Sequence, residues 1–141
     1  MDITLVPYHE AAGHAVQLLP YLTMSAHRSR GRVTESDIMG FIRSGQMMLW
    51  MVHDGEAAHG FIATEVKHYP RCKMLTIQYC AMTTGVMAEV DDKMQDIAAR
   101  FAKDAGCAGI EFTGRAGWRQ TARKHGYTSE SVVYQKFFKE S

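Results

Sequence analysis

The stretch VDDKMQDIAARFAKDAGCAGIEFTGRAGWRQTARKHGY, residues 90–127, decides the fold. Val90, Met94, Ile97, Ala98, Phe101 and Ala105 recur at three- and four-residue steps, the apolar stripe of an amphipathic helix. Gly106 follows the last of them, where a left-handed cap needs no side chain. Ala108–Phe112 is short and apolar, a strand. Thr113–Trp118 then turns sharply into a second helix over Arg119–His125, which Gly126 ends. Helix, strand, helix in close succession is α/β construction, and strands flanking such a crossover run parallel.

Toward the amino terminus the pattern changes to strands. Lys73–Met82 is one, preceded by a turn at Tyr69-Pro70-Arg71. Ala57–Lys67 is another, joined through the hairpin signal Asp54-Gly55 to Met47–His53. That last run is continuously apolar, so both of its faces should be buried. Before it, Thr34 with Asp37 three residues on forms a capping box that opens a helix through Ile38, Phe41 and Ile42 to Gly45. Ser25–Arg32 reads as a polar, basic connector. Tyr8 to Met24 reads as a helix that Pro20 must end or kink, because proline lacks the N–H that a helix interior uses. Ile3–Val6 is a first strand, closed by Pro7. At the other end Ser131–Phe138 should close the sheet. The order β-α-α-β-β-β-α-β-α-β makes residues 1–141 a single α+β domain, with a mixed, mostly antiparallel sheet and helices on both faces.

The chain of 141 residues is long enough for one core. Its formal net charge of +1 gives no bulk field for nucleic acid or an anionic membrane surface. Three widely spaced cysteines fit neither a disulfide framework nor a zinc ribbon, and point to a reducing compartment. The amino terminus lacks the basic region of a signal peptide and no apolar run reaches membrane length, so neither export by a standard signal nor a membrane partner is expected.

Two helices after the first strand, a three-strand meander and then βαβ resemble the GNAT fold of acyl-CoA-dependent N-acetyltransferases. Gly126-Tyr127 is similar to the Gly-Phe pair that ends the family's fourth helix. A narrower resemblance, to GNAT-like internal or accessory virion proteins of tailed phages and prophages, rests on three groups of residues. They are Gly45–Trp50, Thr64–Pro70, and Gly114–Trp118 with Lys124–Tyr127.

The first resemblance implies acetyl-CoA, with its diphosphate on the amides between the third meander strand and the next helix. The matching residues are Ala81, Met82, Thr83, Thr84, Gly85 and Val86, with Arg119 available for a phosphate further along. Only Gly85 remains of the family's glycine pattern, and Glu89, Asp91 and Asp92 crowd the helix start, where they would repel a diphosphate. The donor is therefore not expected to bind in the standard way. The family's helix tyrosine, a general acid, falls on Ala122, leaving Tyr127 and Tyr134 as aromatic substitutes. A base would come from the meander, where Glu65, His59 and His68 are the candidates. Met82 and Met87 are expected to fill part of the gap between the splayed strands.

His9 and His14 stand five apart rather than four. On a helix they diverge by about 140°, which excludes an HExxH zinc site, and no metal is expected. Arg115, Arg119 and Arg123 step by four along the last helix, a solvated face or an anion contact. Trp118 should plug the core. Two readings of function follow. One is a catalytically degenerate protein working through contacts with phage portal, adaptor or tail proteins, in a virion or the host cytoplasm. The other is an active acyl-CoA-dependent N-acyltransferase. The missing glycines and tyrosine favour the first.

Overall fold

Alternation along the second strand sets the layers. Leu49 and Met51 pack toward one face of the sheet, Trp50 and Val52 toward the other, so both faces carry a core. The computed structural model describes residues 1–114 and 118–138. Its elements are β1 (Asp2–Val6), a 3-10 segment (Tyr8–His14), α1 (Ala15–Arg28), α2 (Glu35–Arg43), β2 (Met48–His53) and β3 (Ala58–His68). β4 (Lys73–Met82), α3 (Val86–Asp104), β5 (Gly109–Phe112) and α4 (Arg119–Lys124) follow. The five strands lie in sequence order, antiparallel from β1 to β4, with β5 parallel to β4. This is the expected α+β order as far as α4.

Leu18 and Leu22 of α1 and Ile38 and Ile42 of α2 cover one face, over Leu49, Phe61 and Ala81. Val86, Val90 and Met94 of α3 cover the other, over Trp50, Val52 and Ile62. The Trp50 Nε1–H donates to Thr64 Oγ1 at 2.9 Å, and the indole meets Phe101 edge-on. The capping box forms as the sequence predicts: Thr34 Oγ1 accepts from Asp37 N–H, and Asp37 Oδ2 accepts from Thr34 N–H.

Three expectations need correction. α1 runs through Pro20 to Arg28, so Ser25–Arg28 is helix and the connector is shorter. Proline removes only the single bond to the Val16 carbonyl, and the buried stripe Leu18, Leu22, Ser25 holds the helix on both sides of that gap. α3 starts a turn earlier than the stripe from Val90 suggested, because Val86 extends it by one four-residue step. Ser131–Phe138 does not close the sheet: it pairs with no strand, and every residue in it is exposed.

Candidate functional site

Two bulges shape the end of the sheet where β4 feeds α3. Val52 faces Gly60 while His53 faces Ala58, so His59 is an extra residue in β3. Ala63 faces Tyr79 while Thr64 faces Ile77, so Gln78 is an extra residue in β4. β5 pairs with β4 only from Met74 to Ile77. From Gln78 to Met82 β4 therefore has no β5 neighbour, and the two strands part at the bulge.

The corner beyond Met82 is fixed from several sides. Thr83 N–H donates to the His59 carbonyl at 2.9 Å, so one bulge anchors the corner. Tyr21 Oη donates to the Ala58 carbonyl, and its one proton is then used. The 2.9 Å contact between Tyr21 Oη and Thr83 Oγ1 must therefore be donated by the threonine. His59 turns back to Asp54, with Nε2 at 2.8 Å from Oδ2. The Asp54 carboxylate also accepts from Glu56 and Ala57 N–H. Those backbone donors, Ala57 foremost, with His59, hold its carboxyl well below the usual range.

Gly85 is the N-cap of α3 at φ 89°, a conformation that strains any residue with a side chain. No side chain caps this 19-residue helix. The Val86 N–H turns back to the Thr83 carbonyl, and the following first-turn amides have no intrahelical acceptor. Thr83, Thr84, Gly85 and Ala88 are exposed, so uncapped amides and the positive end of a long helix dipole face solvent. Ala81 and Met82, in contrast, are core residues on opposite faces of β4, and Met87 joins the core under α3.

Two acids of α3, Asp91 and Asp92, have partners. His125 Nε2 lies 2.6 Å from Asp91 Oδ2, and Lys124 Nζ lies 3.4 Å from Asp92 Oδ1. Both partners come from the carboxyl end of α4, and Tyr127 adds a hydrogen bond from its hydroxyl to Gln95 Oε1. Burial raises the Tyr127 phenol above its ordinary value. Asp91, Asp92 and His125 bring three donor atoms within 4.8 Å of one another, with the Lys124 ammonium already seated on the outer carboxylate.

The other predicted residues fall in different places. Glu65 is half-buried in β3 beside the β4 bulge, with the Gln78 amide 3.5 Å from its carboxylate. His68 is exposed at the end of β3. Tyr134 lies 91% exposed on the carboxyl-terminal arm, not packed in a strand. Tyr127 is packed, but after α4 and outside any strand. Arg119 is exposed at the start of α4, and Arg115 lies outside the described residues. Trp118 is half-buried, edge-on to Phe112. His9 is exposed, whereas His14 lines a surface cleft of about 200 Å³ with Gln17, His53 and Glu56.

Sequence reading missed Tyr79. It follows the bulge directly, on the α1/α2 face of β4, half-buried against that core. Burial pushes its phenol up, and the Asp37 and Glu65 carboxylates add to the shift. The alternation of β4 hid this residue, because the bulge resets which side chains share a face.

No family model matches the sequence, and no curated protein does. Solved structures match over nearly the whole chain. A probable acetyltransferase superposes with a TM-score of 0.72 at 10% identity, covering 97% of this chain and 96% of its own. The ribosomal-protein-alanine N-acetyltransferase from Brucella melitensis biovar Abortus 2308 gives 0.71 at 13%, covering 98% and 100%. A GCN5-related N-acetyltransferase from Ralstonia eutropha JMP134 gives 0.70 at 11%, covering 96% and 97%. At these identities the likeness is one of fold, and the fold is that of the GNAT acetyltransferases.

Proposed function

We propose that this chain is an acyl-CoA-dependent N-acyltransferase that seats the donor's diphosphate on the amides between Thr83 and Ala88. The observation that carries this reading is the uncapped, exposed start of α3 beyond the part of β4 that β5 does not reach. A single glycine is enough for such a seat, since only Gly85 has to adopt the left-handed conformation. Asp91 and Asp92 lie in the second turn of α3, the first bonded to His125 and the second facing the Lys124 ammonium, so of the three acids only Glu89 stands in the first turn beside the seat.

When bound, such a donor supplies an acyl thioester for an amine to attack, and a thiol leaves. Glu65, flanking the bulge, is placed to take the proton the amine gives up. Tyr79, a phenol on the α1/α2 face beside the bulge, carries a proton for the leaving sulfur.

The test is a thermal-unfolding titration with acetyl-CoA. Ligand at a hundred times its Kd adds about 2.7 kcal/mol of stability. No shift at millimolar acetyl-CoA would eliminate donor binding. A shift that survives in Glu65→Gln, with amine acylation lost, matches the assigned roles.

A second reading is favoured by a separate feature. Val132, Val133, Tyr134 and Phe138 are exposed together on the arm, a surface suited to protein contact. In that reading the chain acts through phage portal, adaptor or tail proteins, in a virion or in the host cytoplasm. Its presence in purified particles would support this role. No helix among the described residues is long and apolar enough to cross a membrane.

A further inference from the structure

We propose, resting on the acyltransferase reading, that the amine this chain acylates carries a second positive charge, a three- or four-carbon spacer away, which Glu111 receives. The sheet register places Glu65, Thr76 and Glu111 in one row across β3, β4 and β5. The three share a face. Val66, Leu75, Ile77 and Ile110 pack under α3, so alternation turns their neighbours Glu65, Thr76 and Glu111 to the opposite, α1/α2 side. Tyr79 lies on that side too, directly beyond the bulge. Burial, and then the carboxylates of Asp37 and Glu65, push its phenol up, so the field there is that of carboxylates.

Glu111 is oriented but unanswered. Its Oε1 accepts from the Tyr69 hydroxyl at 2.5 Å and from the Thr76 hydroxyl at 3.1 Å. Among the described residues its Oε2 has no partner, and Glu65 has only the Gln78 amide, 3.5 Å away. Both acids are half-buried, yet no ion pair among the described residues reaches either. The fold treats Asp91 differently: that acid, on the other side of the sheet, meets His125. Lys67 shares the Glu65 face one step further out, and Arg28 reaches the Cys80 carbonyl beyond the bulge, so neither neutralises the row. Neighbouring strands lie about 4.8 Å apart, which sets Glu65 and Glu111 about 10 Å apart at the backbone. Both carboxylates lean over β4, toward Gln78 and Thr76, and a short diamine spans the narrower gap between them. Its first nitrogen, beside Glu65, forms the new N–C bond as the thioester C–S bond breaks. That nitrogen's proton passes to Glu65, and the sulfur leaves with one from Tyr79. The second nitrogen stays an ammonium on Glu111 Oε2, a contact that a monoamine cannot make.

The test is thiol release from acetyl-CoA, followed with putrescine, a four-carbon diamine, and with butylamine, its monoamine counterpart. A charge-assisted contact should give putrescine about ten- to a hundredfold the kcat/KM of butylamine. Glu111→Gln keeps an oxygen for the Tyr69 and Thr76 hydroxyls and removes only the charge. The ratio should then fall toward one, with unchanged far-UV circular dichroism. Tyr69→Phe, which keeps the charge but frees Glu111 to turn, should lower the ratio less. A chain that acetyl-CoA stabilises but that acylates neither amine, or both alike, overturns the diamine assignment and leaves the acyltransferase reading standing. A ratio that survives Glu111→Gln does the same. No stabilisation by acetyl-CoA overturns that reading and the diamine assignment together.

Discussion

His125→Ala should be among the most damaging single substitutions outside the main core. The imidazole lies 2.6 Å from Asp91 Oδ2, with the two side chains 14% and 10% exposed. Among the described residues Asp91 Oδ1 is buried with no hydrogen-bond partner, and His125 is the group that satisfies that carboxylate. Removing one member of a buried pair costs about 3–5 kcal/mol, because the remaining charge keeps its desolvation penalty and loses its compensation. The residual exposure, and the solvent screening it admits, lower the expected loss to about 2–3 kcal/mol. At about 4 °C per kcal/mol for a chain of this size, that is a fall of about 8–12 °C in Tm.

Urea denaturation followed by tryptophan fluorescence and far-UV circular dichroism measures the loss directly. The double variant Asp91→Ala/His125→Ala is the informative control. It removes the stranded carboxylate together with its partner, so it should be more stable than His125→Ala alone. A loss below about 1 kcal/mol in the single variant, or a double variant no better than the single one, would refute the claim that this pair fastens α4 to α3.

Gly60→Ala should cost about 1–3 kcal/mol. A Cβ there would stand 2.5 Å from the Ala81 carbonyl oxygen and 2.8 Å from Met82 Cα, both backbone atoms that can yield only by shifting β4. Chemical denaturation reads this loss, and a near-neutral variant would mean the two strands sit further apart. Alkaline stability should depend on Tyr79 and Tyr127, whose folded-state phenols are raised above the ordinary value of 10.0 by burial. Their contribution is complete below that value and is lost as pH rises through the folded-state value, since the unfolded chain deprotonates first. Tyr127→Phe and Tyr79→Phe should each flatten the fall in Tm between about pH 9 and 11, and an unchanged slope in both would contradict their burial.

Much of the fold was legible because its determinants are local. The Val90–Ala105 stripe, the Thr34–Asp37 box and the apolar run of β2 each specify an element from neighbours in sequence, and each forms. The errors share a different cause. Pro20 read as ending or kinking its helix because its local cost is real, and α1 does not end there, since burial of Leu18, Leu22 and Ser25 outweighs one missing bond. Ser131–Phe138 looked like a strand because its composition is strand-like, but composition does not supply a partner edge. The bulges at His59 and Gln78 left no local mark, because each is a relation between two strands.

The candidate site was less legible for the same reason, and its electrostatics show why. Along the sequence, Asp91 and Asp92 stand near the start of a helix with Lys93 directly after them, and they count against an anion. In space, the two groups that answer them arrive more than thirty residues later, at the end of α4. Which groups answer Asp91 and Asp92 is thus set by how two helices dock, not by the composition of either one. The base and acid candidates follow the same rule. Glu65 is on β3 and Tyr79 on β4, and what places them on one face is the extra residue Gln78 between Ile77 and Tyr79. A regular strand would have sent Tyr79 to the α3 face, with Ile77. The bulge that parts β4 from β5 is thus also the feature that sets this phenol on the α1/α2 face.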